Sequence, residues 1–456
     1  MVTLAVTANS YAFCGFYAAR AGSSLYNQSS KVVIAQDGQY QSVTMVSDFE
    51  GDAKDFAMVV PVPKILKRNQ INVVDNNIIT HLDNYTAPRL VEYFDRSPCE
   101  RQILYRSAPM PVAAPTMMLK KKRRGTDSLG VKIEAKYAVG VYDILLLSAQ
   151  QSNGLVTWLK QNKYQLPKGA EPVINSYLAM GMKFFVAKVN MQRQAKTGFS
   201  YLKPIRINYH SPNYMLPIRL GMLNAKGPQE LFVYHLNRKG RVITTNYPNV
   251  KLKTNKEIPV FNKQDFGVFY KAMFNNQVKQ NGRRGVFLEY AWDMNWCDPC
   301  AADPLSDNEL KQLGVFWVGQ PQKPHKVANG NRSKAASNFI PRIGKSKDVF
   351  VTRMHITYDK AHFPKDLAFK ATDNRQNFQG RFIVRHAWKG KASECKAART
   401  YFSKILPKRQ EREAQTLANL TGWDINTIRT SMKLGSSKPN KTRFGNQAVG
   451  SNQVKY

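Results

Sequence analysis

Acidic side chains are scarce in this chain: 31 Asp and Glu stand against 68 Lys and Arg, a formal net charge of +37. That excess is unusual for a soluble enzyme and implies a polyanionic neighbour. Nucleic acid, anionic phospholipid or lipopolysaccharide, and acidic cell-wall polymer satisfy the electrostatics equally well. Long hydrophobic runs are also missing. No stretch reaches the roughly 18 apolar residues that a membrane-spanning helix needs, and the nearest candidate, 137–149, is interrupted by Asp143. Histidine is sparse at 7, with no H-x-x-x-H and no second C-x-x-C, so a zinc site would have to recruit scattered groups such as Cys395 or His325. No metal and no cofactor is expected.

What the chain does have is concentrated at 289–305, E-Y-A-W-D-M-N-W-C-D-P-C-A-A-D-P-L, with two of the six tryptophans and two of the five cysteines. W-C-x-P-C is the kind of pattern a dithiol oxidoreductase uses, with Cys297 and Cys300 as its redox pair. In such an enzyme the first cysteine opens a helix, whose free N–H groups lower the thiol pKa. Here Pro304 follows, and the next helix start is the capping box at Ser306 and Glu309, so the cysteines read as a loop ahead of a helix. No β-α-β pattern precedes them. A Cys297–Cys300 bridge would close a very short loop and contribute only about 2 kcal/mol.

The first residues, M-V-T-L-A-V-T-A-N-S-Y-A, are small and apolar and end in a small-x-small pattern at Ser10 and Ala12. They read as the tail of an export leader whose start lies upstream, cleaved after Ala12. Export makes Cys14, Cys99, Cys297, Cys300 and Cys395 disulfide candidates, and an odd number predicts two bridges and one free thiol. Cys14 with Cys99 is the first pairing to consider.

Residues 30–47 read as a hairpin turning at Asp37-Gly38, and 56–62 as a further strand. The acidic stretch with Asp48, Glu50, Asp52 and Asp55 misses calcium-loop spacing and reads as a solvated turn. A short helix is expected over 86–94, opened by Pro88. From 107 the composition becomes Pro/Ala-rich and then strongly basic at Lys120, Lys121, Lys122, Arg123 and Arg124, which marks a linker and a candidate polyanion contact. Beyond it, alternation predicts strands at 131–141 and 143–147, helices around Leu155–Trp158–Leu159 and Val173–Tyr177, and strands at 184–189, 205–209, 218–220, 231–236 and 242–247. A helix at 265–274 and a strand at 286–292 lead into the cysteine loop. Residues 323–347 are basic and loop-like, and 349–358 and 381–386 are strands. His355 and His362 lack a spaced partner cluster and read as structural. From 393 the chain turns helical, and 415–432 has helix-turn-helix spacing, with Asn426, Thr427 and Arg429 on the second helix. An αα-hairpin packed on a sheet gives the same pattern.

Pieces in order along the chain resemble the bacterial family catalogued as domain of unknown function 2330. They are F-C-G-F-Y at 13–17, F-A-M-V-V-P-V-P at 56–63, A-P-R-L-V-E-Y-F-D at 87–95, Y-D-I-L-L-L-S-A at 142–149, L-P-I-R-L-G-M at 216–222, W-C-D-P-C at 296–300, H-F-P-K-D-L at 362–367, N-F-Q-G-R at 377–381 and A-Q-T-L-A-N-L-T-G-W at 414–423. The resemblance implies an exported bacterial envelope protein with F-C-G-F-Y near the mature N-terminus. It transfers no activity, catalytic residue or cofactor. It also puts the helix-turn-helix pattern inside the shared region, which favours a packing role there over a DNA reader.

The expected fold class is α+β, with largely antiparallel sheets, a few short helices and a helical C-terminal segment. The expected organisation is a leader remnant (1–12), an N-terminal β-rich domain (13–106), a linker (107–128), a β-rich α+β core (129–392), a helical segment (393–434) and a basic tail (435–456). The favoured function is a periplasmic or secreted protein without chemistry of its own that binds an anionic envelope polymer or lipid surface. The alternatives are a periplasmic thiol-disulfide oxidoreductase using Cys297 and Cys300, and a nucleic-acid binder using the helix-turn-helix-like segment.

Overall fold

The computed structural model describes residues 16–20, 26–50, 56–100, 132–148, 152–162, 164–190, 193, 202–225, 227–295, 303–319 and 347–434. The expected leader and its cut at Ala12, Cys14, the linker at 107–128, Cys297 and Cys300, the basic loop up to 346 and the tail from 435 lie outside these residues.

Two sheets face each other. The larger has nine strands, in the order Asn249–Lys251, Val286–Asp293, Phe350–Tyr358, Gln229–Asn237, Tyr26–Asp37, Tyr40–Glu50, Ile205–His210 and Ile71–Val73, with Phe378–Gln379 added beside Val286–Asp293. The smaller has six: Lys132–Val139, Tyr142–Ser148, Lys183–Val189, Phe56–Val62, Phe16–Arg20 and Tyr164–Gln165. Strands from before 107 and after 128 interleave in both. Successive residues of a strand point to opposite faces, and the long strand Tyr26–Asp37 shows the result. Val32 and Ile34 join Val43, Met58, Val60, Phe185 and Ile356 between the sheets. Val33 and Ala35 pack on the outer side, against Ile78, Ile79, Leu82 and Tyr85 of the helix Asn76–Thr86. The helices Ser152–Gln161 and Ala170–Ala179 cover the outer face of the smaller sheet through Leu155, Leu159, Ile174 and Tyr177. The layering is helix, sheet, sheet, helix.

Mixed helices and mostly antiparallel sheets make this an α+β protein, as patterning predicts. Four pairings are parallel, among them Tyr26–Asp37 with Gln229–Asn237. The hairpin forms, with its two loop residues at Gly38 and Gln39 rather than Asp37 and Gly38; Gly38 alone has positive φ. Gly181, at φ 77, follows the helix Ala170–Ala179.

Two local expectations are corrected. Pro88 closes a helix instead of opening one: Asp75 caps Asn76–Thr86 by accepting from the Asn77 N–H at 2.9 Å, and Ala87, ahead of the proline, is extended. Residues Arg89–Phe94 form a strand because they pair in parallel with Arg381–His386, nearly three hundred positions later. The strand expected at 218–220 does not form: the local strand is Met215–Leu216, Pro217 has no N–H to extend the ladder, and the Ile218 N–H donates to Asp366.

A smaller third layer packs at one end. The sheet of Lys256–Glu257, Arg381–His386 and Arg89–Phe94 buries Phe382 and Val384 against Phe269, Met273 and Phe274 of the helix Phe266–Gln280, and against Ala414, Leu417 and Leu420 of Leu406–Thr421. Cys99 is bonded to Cys395, which corrects the pairing of Cys99 with Cys14. The folded chain carries the start of the helical segment back to the end of the edge strand Arg89–Phe94, a meeting that spacing does not reveal.

This bridge closes a loop with a sequence separation of 296. Cys395→Ser is therefore expected to lower unfolding free energy by roughly 2–5 kcal/mol in non-reducing denaturant titrations. Adding reductant to the unsubstituted protein should reproduce the loss, and equal midpoints in all three samples would show that the bridge does not hold the fold.

Candidate functional site

Two charged constellations stand out: one sealed inside the large sheet, one open on the C-terminal helix. The first begins at a β-bulge. The register between Val286–Asp293 and Phe350–Tyr358 slips between Leu288 and Tyr290, so Glu289 is the extra residue of its strand. A bulge re-aims a side chain. Glu289 meets Arg353 and His355, which share one face of the neighbouring strand. Glu289 Oε2 accepts from Arg353 Nε at 2.6 Å, and its Oε1 lies 2.8 Å from His355 Nδ1. The Tyr270 hydroxyl, from the helix Phe266–Gln280, also donates to Glu289.

The guanidinium reaches on to Asp83 in the helix Asn76–Thr86, at 2.7 Å from Oδ1 and 2.9 Å from its carbonyl oxygen. Asp83 also takes the Tyr234 hydroxyl at 2.7 Å and the Lys31 ammonium. Aromatic rings close the space around these charges: the His355 imidazole stacks on Phe274 at 3.6 Å and on Phe232 at 4.1 Å, and Arg353 lies over Phe232 and Tyr234.

Burial opposes ionising Asp83, yet Arg353 and then Lys31 outweigh it and hold the carboxyl at about 2. Burial likewise opposes the Glu289 charge, and Arg353 and His355 keep its pKa below the usual carboxylate value. The groups are those of a general acid–base site, but Glu289 is 0% exposed and Arg353 and His355 are each 3% exposed. Direct mutual pairing and ring stacking leave a substrate no approach to these atoms, so the cluster braces the fold. His355 is thus structural, as its isolation in the sequence suggests. Its neighbour in kind, His235, is held neutral by burial, which pushes it down to about 3, with the Tyr214 hydroxyl 2.6 Å from Nδ1.

The bracing helix also holds residues that follow the cysteine loop. His81 Nδ1 lies 2.7 Å from Glu309 and Nε2 lies 2.8 Å from the Asp303 carbonyl oxygen. The expected capping box forms, with Ser306 and Glu309 bonded reciprocally. Among the described residues no three His, Cys, Asp or Glu side chains gather as a metal site.

The second constellation runs along Lys396–Thr400, a π-turn at Tyr401–Ile405 and the helix Leu406–Thr421. A π-turn inserts one residue into a helical turn. The buried stripe accordingly passes from Tyr401 to Arg409, Glu413 and Leu417, and the inserted Ile405 is extruded, 54% exposed. On the outer side Arg399, Lys404, Lys408 and Arg412 follow one another, all exposed and in no salt bridge among the described residues, with Arg412 near enough to Glu413 to favour its charge. The inner side uses its charges: Arg409 donates to Asp95 at 2.5 Å, and the Tyr401 hydroxyl does the same.

Glu413 is less well served. Arg409 Nε stands 3.2 Å from its Oε1, but the geometry forms no hydrogen bond, and burial pushes this carboxyl up to about 7. The helix then ends at Gly422, with φ 75, and Ile425–Leu434 returns. Of the residues expected on the exposed second helix, Arg429 is paired to Glu411, and Thr427 bonds Asp424 at 2.7 Å through its N–H and 2.8 Å through its hydroxyl. The helical hairpin packs Leu417, Leu420 and Ile428 into the third layer.

Of the disulfide candidates expected from sequence, only Cys99 and Cys395 are described, and they are joined to each other. The basic run at 120–124 and the W-C-x-P-C cysteines lie outside the described residues. The stripe on the C-terminal helix was missed, although Lys404, Lys408 and Arg412 sit four apart, which is its signal.

Fold and sites together define a β-rich α+β protein that spends its internal charges on bracing. The chain belongs to the family of domain of unknown function 2330, described as an uncharacterized protein conserved in bacteria, whose model matches residues 8–370. The match ends before the helical segment with the cationic stripe. No curated protein and no solved structure matches the chain.

Arg353→Met leaves two carboxylates, Glu289 and Asp83, without their shared cation, and is expected to destabilise by about 3–5 kcal/mol in urea titration. A loss below 1 kcal/mol would show that the cluster does not brace the sheet. For Glu413 the folded pKa lies above the ordinary value of 4.5, so its stabilising contribution is full below that value and is lost as pH rises through about 7. Glu413→Gln should remove this dependence, leaving the variant relatively more stable at pH 8 by roughly 3 kcal/mol, as read from thermal or urea midpoints across pH 4–8.

Proposed function

We propose that this protein is an exported bacterial envelope protein without chemistry of its own, held by its surface cations to an anionic envelope component. The carrying observation is the exposed stripe Arg399, Lys404, Lys408 and Arg412, in no salt bridge among the described residues and set on a helical segment that a disulfide ties to the sheet. Rigid display of unpaired cations suits a polyanion: ordering costs are met within the fold, and binding needs only counterion release. A bridge such as Cys99–Cys395 suits an oxidising compartment. Family membership supplies the bacterial setting. No helix among the described residues is long and apolar enough to cross a membrane.

Two measurements test the proposal. The protein isolated from its own cell should begin after Ala12 and carry the Cys99–Cys395 bridge by mass spectrometry. Its retention on immobilised polyphosphate should fall steeply with salt, and Lys404→Glu/Lys408→Glu/Arg412→Glu should weaken it at low salt by tenfold or more, on the order of 1.4 kcal/mol. An uncut cytosolic chain with reduced thiols, or retention indifferent to both salt and the triple variant, would overturn it.

A further inference from the structure

In the sheet of the third layer the order is Lys256–Glu257, Arg381–His386, Arg89–Phe94, so Arg89–Phe94 is an edge strand. Its inner bonds decide which residues face outward. Arg89 donates its N–H to the Gly380 carbonyl at 2.8 Å and Asp95 to that of His386 at 3.0 Å, which sets the odd-numbered positions toward the sheet. By alternation the N–H and C=O groups of Leu90, Glu92 and Phe94 point away from it, and they bond to nothing else among the described residues. Edge strands are ordinarily guarded by lysine or proline, because free backbone groups invite another strand. Neither residue occurs between Leu90 and Phe94, and Tyr93 and Phe94 are 42% and 66% exposed. Both rings are held in place, Phe94 stacked on His386 at 4.4 Å and Tyr93 under the Arg385 guanidinium at 5.2 Å.

We propose that a second copy of the chain pairs antiparallel with Arg89–Phe94 about a two-fold axis at Glu92, extending the small sheet across a dimer. In that register Leu90 lies opposite Phe94 of the second copy and Val91 opposite its Tyr93, and the outward-facing pairs exchange both their backbone bonds. Moving the axis by one residue, to Val91 or Tyr93, sets Leu90 or Phe94 against Glu92 and loses the match. An extended peptide of another protein would satisfy the backbone groups equally; the reversed match of apolar, acidic and apolar positions is what favours a second copy. Two Glu92 carboxylates meet at the axis. Each is held in its own copy by Lys263 at 2.8 Å and His386 at 2.8 Å, so counter-charge enters the interface with it. An edge of 6 residues is a small interface and belongs with the transient ones. The net charge of +37 opposes the approach of two copies, so the dimer tightens as salt screens it, the reverse of retention on a polyanion.

The test is sedimentation equilibrium of the full chain over roughly 5–500 μM, with free thiols alkylated so that no bridge joins two copies. A monomer–dimer equilibrium that tightens from low to high salt is expected. Tyr93→Lys/Phe94→Lys removes the apolar pairs and sets cations along the edge, and should weaken the dimer about tenfold or more while leaving the thermal midpoint of the monomer unchanged. Glu92→Lys mixed with the parent examines the axis itself, since lysine meets glutamate only if position 92 faces position 92. The mixture should associate roughly fivefold more tightly than Glu92→Lys alone. A chain that stays monomeric at every concentration and salt, or a dimer indifferent to Tyr93→Lys/Phe94→Lys, overturns the proposal. Should that double variant lower the thermal midpoint, the Glu92→Lys mixture decides: no gain over Glu92→Lys alone overturns the pairing.

Discussion

A guanidinium with almost no contact with water sits where the large sheet, the helix Asn76–Thr86 and the helix Phe266–Gln280 meet. Arg353 must find compensation for its lost hydration, and it finds it in Glu289 and Asp83, one from a bulged strand and one from a helix. Neither carboxylate is stable alone in that setting. The consequence is geometric: the bulge at Glu289, the placement of Asn76–Thr86 against the sheet, and the ring stack of Phe232, His355 and Phe274 are mutually required. An apolar contact tolerates sliding, whereas a hydrogen-bonded charge contact specifies one register.

That specification extends outward. The helix that supplies Asp83 also supplies His81, which holds residues on the far side of the W-C-x-P-C segment. The helix that supplies Tyr270 packs the third layer, on which the C-terminal helices rest. The cationic stripe, though remote from Arg353, is therefore borne by elements whose positions descend from it, with the Cys99–Cys395 bridge as a second tie. Charge thus has two uses in this molecule. Inside, opposite charges meet and lose their freedom; outside, Lys404, Lys408 and Arg412 form no salt bridge among the described residues.

The π-turn at Tyr401–Ile405 separates these two uses. With ordinary helical spacing the stripe through Tyr401 would continue at Ile405 and leave the inner ion pairs out of step. The inserted residue brings Arg409 and Glu413 under the sheet and keeps Lys404, Lys408 and Arg412 together on the outside. The cost is an isoleucine in water and a carboxyl, Glu413, whose charge the interior tolerates poorly.

Much of this fold is legible in the amino-acid order because its signals are local. Alternating apolar residues mark the strands, Gly38 marks the hairpin, and Ser306 and Glu309 mark a helix start. The charge excess and the absence of a long apolar run are likewise read directly. What the order of residues did not determine are the meetings of distant parts. Arg89–Phe94 is a strand only because Arg381–His386 lies beside it, Cys99 chooses Cys395 only once the helical segment has docked, and Glu289 becomes the partner of Arg353 only when a bulge turns it. Local propensity is a property of neighbours along the chain, whereas pairing, burial and the fate of a charge depend on which groups tertiary packing brings within a few ångströms.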